Sequence, residues 1–296
     1  MPGIALARRR VRVVPRLDIK GPNLVKGVRL EGLRVLGRPE PFARDYYENG
    51  ADELLFMDIV ASLYGRNSLI EIIRRIAREI FVPLTVGGGL RTIEDIRTVL
   101  RAGADKVSLN TAAIRRPEFV REAARKFGCS TIIVSIEAIR RPDGQYEAYT
   151  DSGRERTGID AFEWAVKAAE LGAGEILVTS IDREGTGDGF NIELTRRIAE
   201  SVPIPVIASG GAGKLEHVSE VAIGGKADAI CLASLLHYHV VKERQFSDDV
   251  DPAINVAHLR VGKGFSRIED ATLPAVKRHL LERGVDCRPP TGLVHG

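Results

Sequence analysis

Hydrophobic positions fall along this chain in two alternating rhythms. Short apolar runs, "VRVVPRLD", "ELLFMD", "PLTVGG", "KVSLN", "TIIVSIE", "EILVTS", "PVIASGG" and "AICLA", are separated by longer stretches that mix apolar and charged residues. The short runs read as strands. The longer ones, among them "SLIEIIRRIAREIF", "TIEDIRTVLRAGA", "PEFVREAARKFG" and "LEHVSEVAIGG", read as amphipathic helices. Thr92 followed by Asp95 predicts a helix N-cap, and Gly103 and Gly128 predict helix stops. Eight strand–helix units imply a parallel sheet with helices outside, and eight close naturally into a (β/α)8 TIM barrel of about 250 residues. The alternative is an open, doubly wound sheet.

An internal repeat favours closure. "VPLTVGGGLRTIEDIRTVLRAGADKVSLNTAA" and "IPVIASGGAGKLEHVSEVAIGGKADAICLASLL" match in order: a proline-led strand, a glycine turn, an amphipathic helix, Ala-Asp and another strand. "ADELLFMDIVAS" likewise parallels "AGEILVTSIDRE", and the halves are offset by about 120 residues. That is a four-unit half-barrel used twice. One barrel domain is therefore expected over 1–296, with a basic tail at 1–10 and a loose tail at 288–296. Arg140 to Gly158, with turn residues around Pro142-Asp143-Gly144, predicts a hairpin-bearing loop after the fifth strand. The stretch 240–266 predicts an insertion between strand 8 and a final helix near "LPAVKRHLLERG".

Composition narrows the setting. With 44% hydrophobic and 28% charged residues, a chain of this length can bury a large core. A formal charge of +3 is too small and dispersed to argue for nucleic acid. Cys129, Cys231 and Cys287 are odd in number and share no metal-ligand spacing, which fits a reducing cytoplasm. No apolar run reaches the roughly 18 residues of a membrane helix, so a cytoplasmic location is expected.

The candidate chemistry lies where strands end, because a barrel of this kind carries its site at the C-terminal face of the strands. The carboxylates there are Asp18, Asp58, Glu137 and Asp182. Asp18 and Glu137 end the first strand of each half, so the repeat sets them across the mouth from each other. An opposed pair suits general acid–base catalysis; the alternative is that each residue simply ends a strand. The turns Gly87-Gly88-Gly89 and Gly210-Gly211-Ala212-Gly213 join strands to helices and can bring backbone N–H groups close to an anion. Asn110-Thr111 and Ala233-Ser234 take the matching positions on the next strands. Two such sites on opposite sides of the mouth suit an elongated ligand with a phosphate at each end. His237 and His239 alternate in "HYH" but have no third ligand, so they are read as structural, and no metal or cofactor is expected.

"LVKG", "FMDIVAS", "TVGGG", "ADKVSLNTAA", "TSIDREGT" and "IASGGAGK" occur in the order found in the cyclase subunit of imidazole glycerol phosphate synthase, a histidine-pathway enzyme, which the chain resembles from about Val11 to His239 and again in its last helix. The resemblance implies a barrel that binds the bisphosphate phosphoribulosyl-formimino-aminoimidazole-carboxamide ribotide. Ammonia from a separate glutaminase subunit enters at the barrel base and attacks at the top, giving imidazole glycerol phosphate and an aminoimidazole ribotide. It also implies that Lys26, Asn110, Thr179 and Ser209 hold substrate beside the two glycine turns. Arg12, Glu53, Lys106 and Glu175 match a charged gate at the ammonia entrance.

The chain departs from the family pattern at three positions. Glu137 stands for an aspartate, Glu184 for another aspartate, and Arg16 for a cysteine. Arg16 shares the inward face with Asp18, because side chains alternate along a strand. A cation there needs a carboxylate, so pairing with Asp18 or Glu137 is expected, narrowing the ammonia path and favouring the basic form of its partner. Two other functions remain open at this level. One is a diverged paralogue that delivers ammonia to another acceptor, such as a nucleotide sugar. The other is a non-catalytic partner that activates a glutaminase.

Overall fold

The structure is a computed structural model that describes residues 10–29, 31–59, 67–243 and 267–290. Eight parallel strands close a barrel: β1 (Arg12–Lys20), β4 (Leu54–Asp58), β5 (Leu84–Gly87), β6 (Lys106–Leu109), β7 (Ile132–Arg140), β10 (Glu175–Ser180), β11 (Val206–Ser209) and β12 (Ala229–Leu232). Each pairs with the next in this order, and β12 pairs with β1, so no edge remains. All eight strands expected from the sequence are present.

Side chains alternate along each strand between the helix layer and the barrel interior, as in a pleated strand. On β1, Val13, Leu17 and Ile19 face the helices, while Val14 joins an interior cluster with Leu55, Met57, Ile133, Leu177, Ile207, Ala229 and Cys231. The helices are α1 (Pro39–Glu48), α2 (Asn67–Ile76), α3 (Ile93–Ala102), α4 (Thr111–Arg115), α5 (Glu118–Phe127), α6 (Ala161–Glu170), α7 (Ile192–Ser201), α8 (Leu215–Ile223), α9 (Ser234–Glu243) and α10 (Leu273–Glu282). Thr92 and Asp95 form a reciprocal capping box on α3, and α3 ends at Gly103, whose φ of 120° few other residues adopt.

The repeated Ala-Asp has a structural role. Asp105 accepts from the Leu84 N–H at 2.8 Å, and its own N–H donates to the Leu84 carbonyl at 2.8 Å. Asp228 does the same with Val206, at 2.7 and 2.8 Å. Each aspartate thus locks the start of the preceding strand in register.

Both half-barrels open with a strand that runs on into an antiparallel hairpin. β7 continues into β8 (Tyr146–Thr150) and β9 (Glu155–Asp160), as the sequence suggests. β1 continues into β2 (Asn23–Val28) and β3 (Glu31–Gly37), a hairpin the sequence reading does not anticipate.

Of the stretch read as an insertion, Val240–Glu243 continue α9, and 244–266 lie outside the described residues. So do residues 1–9 and 291–296. Arg288, assigned by sequence to a loose tail, is instead tied down: its Nε lies 2.9 Å from Asp52 Oδ1 and its Nη2 donates to the Gly50 carbonyl at 2.9 Å. A charged partner holds a segment that composition alone marks as free.

Candidate active site

The inward-facing residues of β1 lead from one end of the barrel to the other: Arg12, Val14, Arg16, Asp18. At the base, Arg12 Nη2 donates to Glu175 Oε2 at 2.5 Å and Nη1 donates to Glu53. Lys106 Nζ lies 3.1 Å from both Glu53 oxygens and 2.6 Å from Glu175 Oε1. Arg12, Lys106 and Glu175 at the starts of β1, β6 and β10, and Glu53 just before β4, two of each sign, close a ring. Burial would lower the pKa of Arg12, but Glu175 and Glu53 outweigh it and raise it. Burial would likewise raise that of Glu175, yet Arg12 and Lys106 bring it below the ordinary carboxylate value. Above this ring lies the apolar interior layer.

The mouth is built differently. Asp18 pairs with Met57 across β1–β4 and Glu137 pairs with Thr179 across β7–β10. Because Met57 and Thr179 correspond in the repeat, the register makes the two acids equivalent, on strands diametrically opposite in the barrel. Arg16, one layer lower and 3% exposed, donates from Nε to Asp18 Oδ1 at 2.8 Å and from Nη1 to Ser209 Oγ at 3.3 Å. The expected pairing therefore goes to Asp18 and not to Glu137. Lys26 is buried and hydrogen-bonds Glu184, with Asp18 Oδ2 3.8 Å away. Burial is the largest influence on Lys26 and lowers its pKa, but Glu184 and Asp18 raise it on balance.

Glu137 is the odd carboxyl. Burial pushes its pKa up to about 7, against the opposing pull of Arg16 and of the Gly153 N–H. Arg16, paired with Asp18, is outweighed at Glu137 by desolvation. Its Oε2 is buried without a hydrogen-bond partner, as are Ser108 Oγ, Asn110 Oδ1 and Thr179 Oγ1 around the same mouth.

Among the described residues three cavities open here; one of about 30 Å³ is lined by Asp18, Lys26, Ile59 and Arg154, and the other two hold the glycine turns. One of about 110 Å³ is lined by Arg16, Asp58, Gly88, Gly89, Asn110, Thr111 and Glu137, together with Arg91, Ser135 and Arg154. The other, about 20 Å³, is lined by Arg16, Lys26, Glu184, Ser209, Gly210, Gly211, Ala233 and Ser234. The two glycine turns of the repeat therefore fall in separate cavities, each with its partner from the next strand. The glycines also have a packing reason. A Cβ on Gly88 (φ +96°) would stand 2.0 Å from the Asp58 carbonyl oxygen, and one on Gly211 (φ +112°) 2.2 Å from that of Gly189.

Most of the residues singled out from the sequence come together. Three polar residues among them at the mouth line neither glycine-turn cavity: Asp18 lines the third, Thr179 lies beside Glu137 in the β7–β10 register, and Asp182 Oδ1 accepts from Ser180 Oγ at 2.6 Å. His237 is a core histidine. Its Nδ1 lies 2.5 Å from the Tyr46 hydroxyl, and burial pushes its pKa down to about 3. Sequence reasoning missed Ser135, Arg91, Arg154 and the Gly153 N–H. Ser135 was within reach, since it stands two residues before Glu137 as Arg16 stands before Asp18. The hairpin turn gave no such signal.

The barrel of two half-barrel repeats thus carries its two glycine turns in separate cavities and its two opposed carboxyls at the same mouth. Residues 12–242 match the family model of histidine biosynthesis proteins, and the chain belongs to that family. Among curated relatives, imidazole glycerol phosphate synthase subunit HisF of Legionella pneumophila is 56% identical over 206 residues, covering 70% of this chain and 97% of that protein. The subunit of the same name from Synechococcus sp. (strain CC9605) is 52% identical over 244 residues, 81% of this chain and 95% of that protein. No helix among the described residues is long and apolar enough to cross a membrane.

Proposed function

We infer that this chain is the cyclase subunit of imidazole glycerol phosphate synthase, a carbon–nitrogen lyase of histidine biosynthesis. The observation that carries the reading is the placement of Asp18 and Glu137 at equivalent register positions across a mouth flanked by two glycine-turn cavities. The substrate in this reading is phosphoribulosyl-formimino-aminoimidazole-carboxamide ribotide, with one phosphate in each cavity. Gly88, Gly89, Asn110 and Thr111 hold one end; Gly210, Gly211, Ala233 and Ser234 hold the other.

Ammonia attack followed by ring closure and carbon–nitrogen cleavage requires one proton to be removed and another delivered. A carboxylate and a carboxylic acid facing each other supply both. Asp18, hydrogen-bonded by Arg16, serves as the base. Glu137, raised to about 7 by burial, holds a proton it can deliver. The ring of Arg12, Glu53, Lys106 and Glu175 at the opposite end is the docking face and entrance for a glutaminase that supplies ammonia.

The test is turnover of the purified chain with the ribotide and excess ammonium salt, without glutaminase, beside Glu137→Asp and Glu137→Gln. Turnover by the native chain that disappears in Glu137→Gln is the expected result. A native chain that binds the bisphosphate while only Glu137→Asp turns it over would refute the reading.

A further inference from the structure

Among the described residues, Arg16 is the one that lines both glycine-turn cavities. Its guanidinium is almost wholly buried, in hydrogen-bond contact with Asp18 on its own strand and with Ser209 on β11. Few features are as costly in a barrel interior as a buried guanidinium, so its retention needs a compensating interaction. Asp18 provides one, and Arg16 also lines, with Glu137, the larger of the two glycine-turn cavities.

The charges around the mouth are uneven. Arg16 is matched by Asp18, and Lys26 by Glu184, leaving the Glu137 carboxyl without a dedicated cation. We propose that Arg16 is a positioning residue that divides the labour of the two acids: it fixes Asp18 as the hydrogen-bonded carboxylate and, from between the cavities, sets how firmly Glu137 keeps its proton. The groups facing Glu137 are Arg16 and Asp18 from β1, Glu184 from the loop after β10, and the Gly153 N–H from the β8–β9 turn. Asp58, Asp151, Arg91 and Arg154 line the same cavity, and Lys26 is held by Glu184 behind it. Among those nearest groups only Arg16 is a cation; Asp18 and Glu184 both act to retain the proton. Removing Arg16 therefore takes away the main charge that loosens it, and the Gly153 N–H alone remains on that side.

The assignment deepens the cyclase reading and rests on it for the role of the two acids, but its test needs no substrate. With isotope-labelled glutamate, the side-chain carboxyl signal of Glu137, identified by its loss in Glu137→Gln, is followed by NMR through a pH titration. The native midpoint is expected near 7. In Arg16→Gln and Arg16→Met it moves up by about one pH unit or more, and in Arg16→Lys it stays near the native value. Arg16→Gln carries the measurement where Arg16→Met does not fold, since it still offers Asp18 a donor. The basic limb of kcat moves in the same direction. An unmoved midpoint in a folded neutral variant, or an Arg16→Lys protein that titrates like the neutral ones, overturns the proposal. Failure of the native chain to turn over the ribotide would instead count against the cyclase reading and leave the titration result standing.

Discussion

The two ends of this barrel carry charge clusters of similar size built to opposite rules. At the base, Arg12 and Lys106 meet Glu53 and Glu175, and every charge has a partner of the other sign. At the mouth, Arg16 and Lys26 face Asp18, Glu184 and Glu137, so one carboxyl is left over. A balanced buried cluster has little reason to exchange a proton, because each ionised form is stabilised by its neighbour. An unbalanced one keeps a proton at its odd member, and that proton is available for chemistry. In the proposed cyclase reading, the difference separates a closure from a reaction centre within a single barrel interior.

The comparison breaks most visibly in turnover. Glu137→Gln removes the exchangeable proton while keeping size and shape, so ammonium-dependent kcat is expected to fall by about 100- to 10,000-fold. Glu175→Gln at the base leaves ammonium-dependent turnover close to native and lowers glutamine-driven turnover with a glutaminase present. Steady-state rates with the two ammonia sources check both statements. Equal losses in the two variants under ammonium salt would erase the distinction between the ends.

Stability against pH gives the next largest effect, and the two ends have opposite signs. Glu137 is raised from 4.5 to about 7, so its contribution to stability is fully present below 4.5 and is lost as pH rises to about 7. The size is on the order of 3 kcal/mol. Glu175 is lowered, so its contribution is present above the ordinary value and is lost as pH falls below 4.5 through its folded-state pKa. Denaturant unfolding over a pH series resolves the two. In Glu137→Gln the decline between pH 4.5 and 7 should flatten while the acid limb remains. A decline that persists unchanged would assign it to other groups.

Glu175→Ala is expected to cost about 2 kcal/mol at neutral pH, since it leaves two cations on Glu53. That is less than a fully buried pair would lose, because the Arg12 side chain is 25% exposed and water screens it in part. Thermal or urea unfolding measures it.

The sequence made one end of this contrast easier to read than the other. Strand periodicity and the repeat give the barrel, and Glu53 and Glu175 occupy equivalent places in it. Alternation along β1 was enough to send Arg16 inward to a carboxylate. Which carboxylate it reaches depends on the distance across the closed barrel, and no one-dimensional pattern contains that distance. The sign of the Glu137 shift was illegible for a related reason: it is a contest between desolvation and a cation from the opposite strand. The Gly153 N–H reaches Glu137 through a turn in which Asp151, Ser152 and Gly153 all have positive φ, of 51°, 59° and 76°. Two of those three residues are not glycine, so composition does not announce the conformation. The hairpin of β2 and β3 escaped because Gly27 and Gly32 interrupt its alternation.

The smallest effect sharpens the account most. Ser209 Oγ accepts from Arg16 Nη1 at 3.3 Å, at the long end for a hydrogen bond, whereas the contact to Asp18 is 2.8 Å. Ser209→Ala removes the weaker contact and leaves both the guanidinium charge and its ion pair in place. The expected loss is about 1 kcal/mol in unfolding free energy. The titration midpoint of Glu137 should not move, because the cation that acts on it has not left. If Ser209→Ala shifts that midpoint as far as Arg16→Gln does, the mouth depends on the orientation of the guanidinium and not on its charge. The contrast between the two ends would then be one of geometry instead of charge balance.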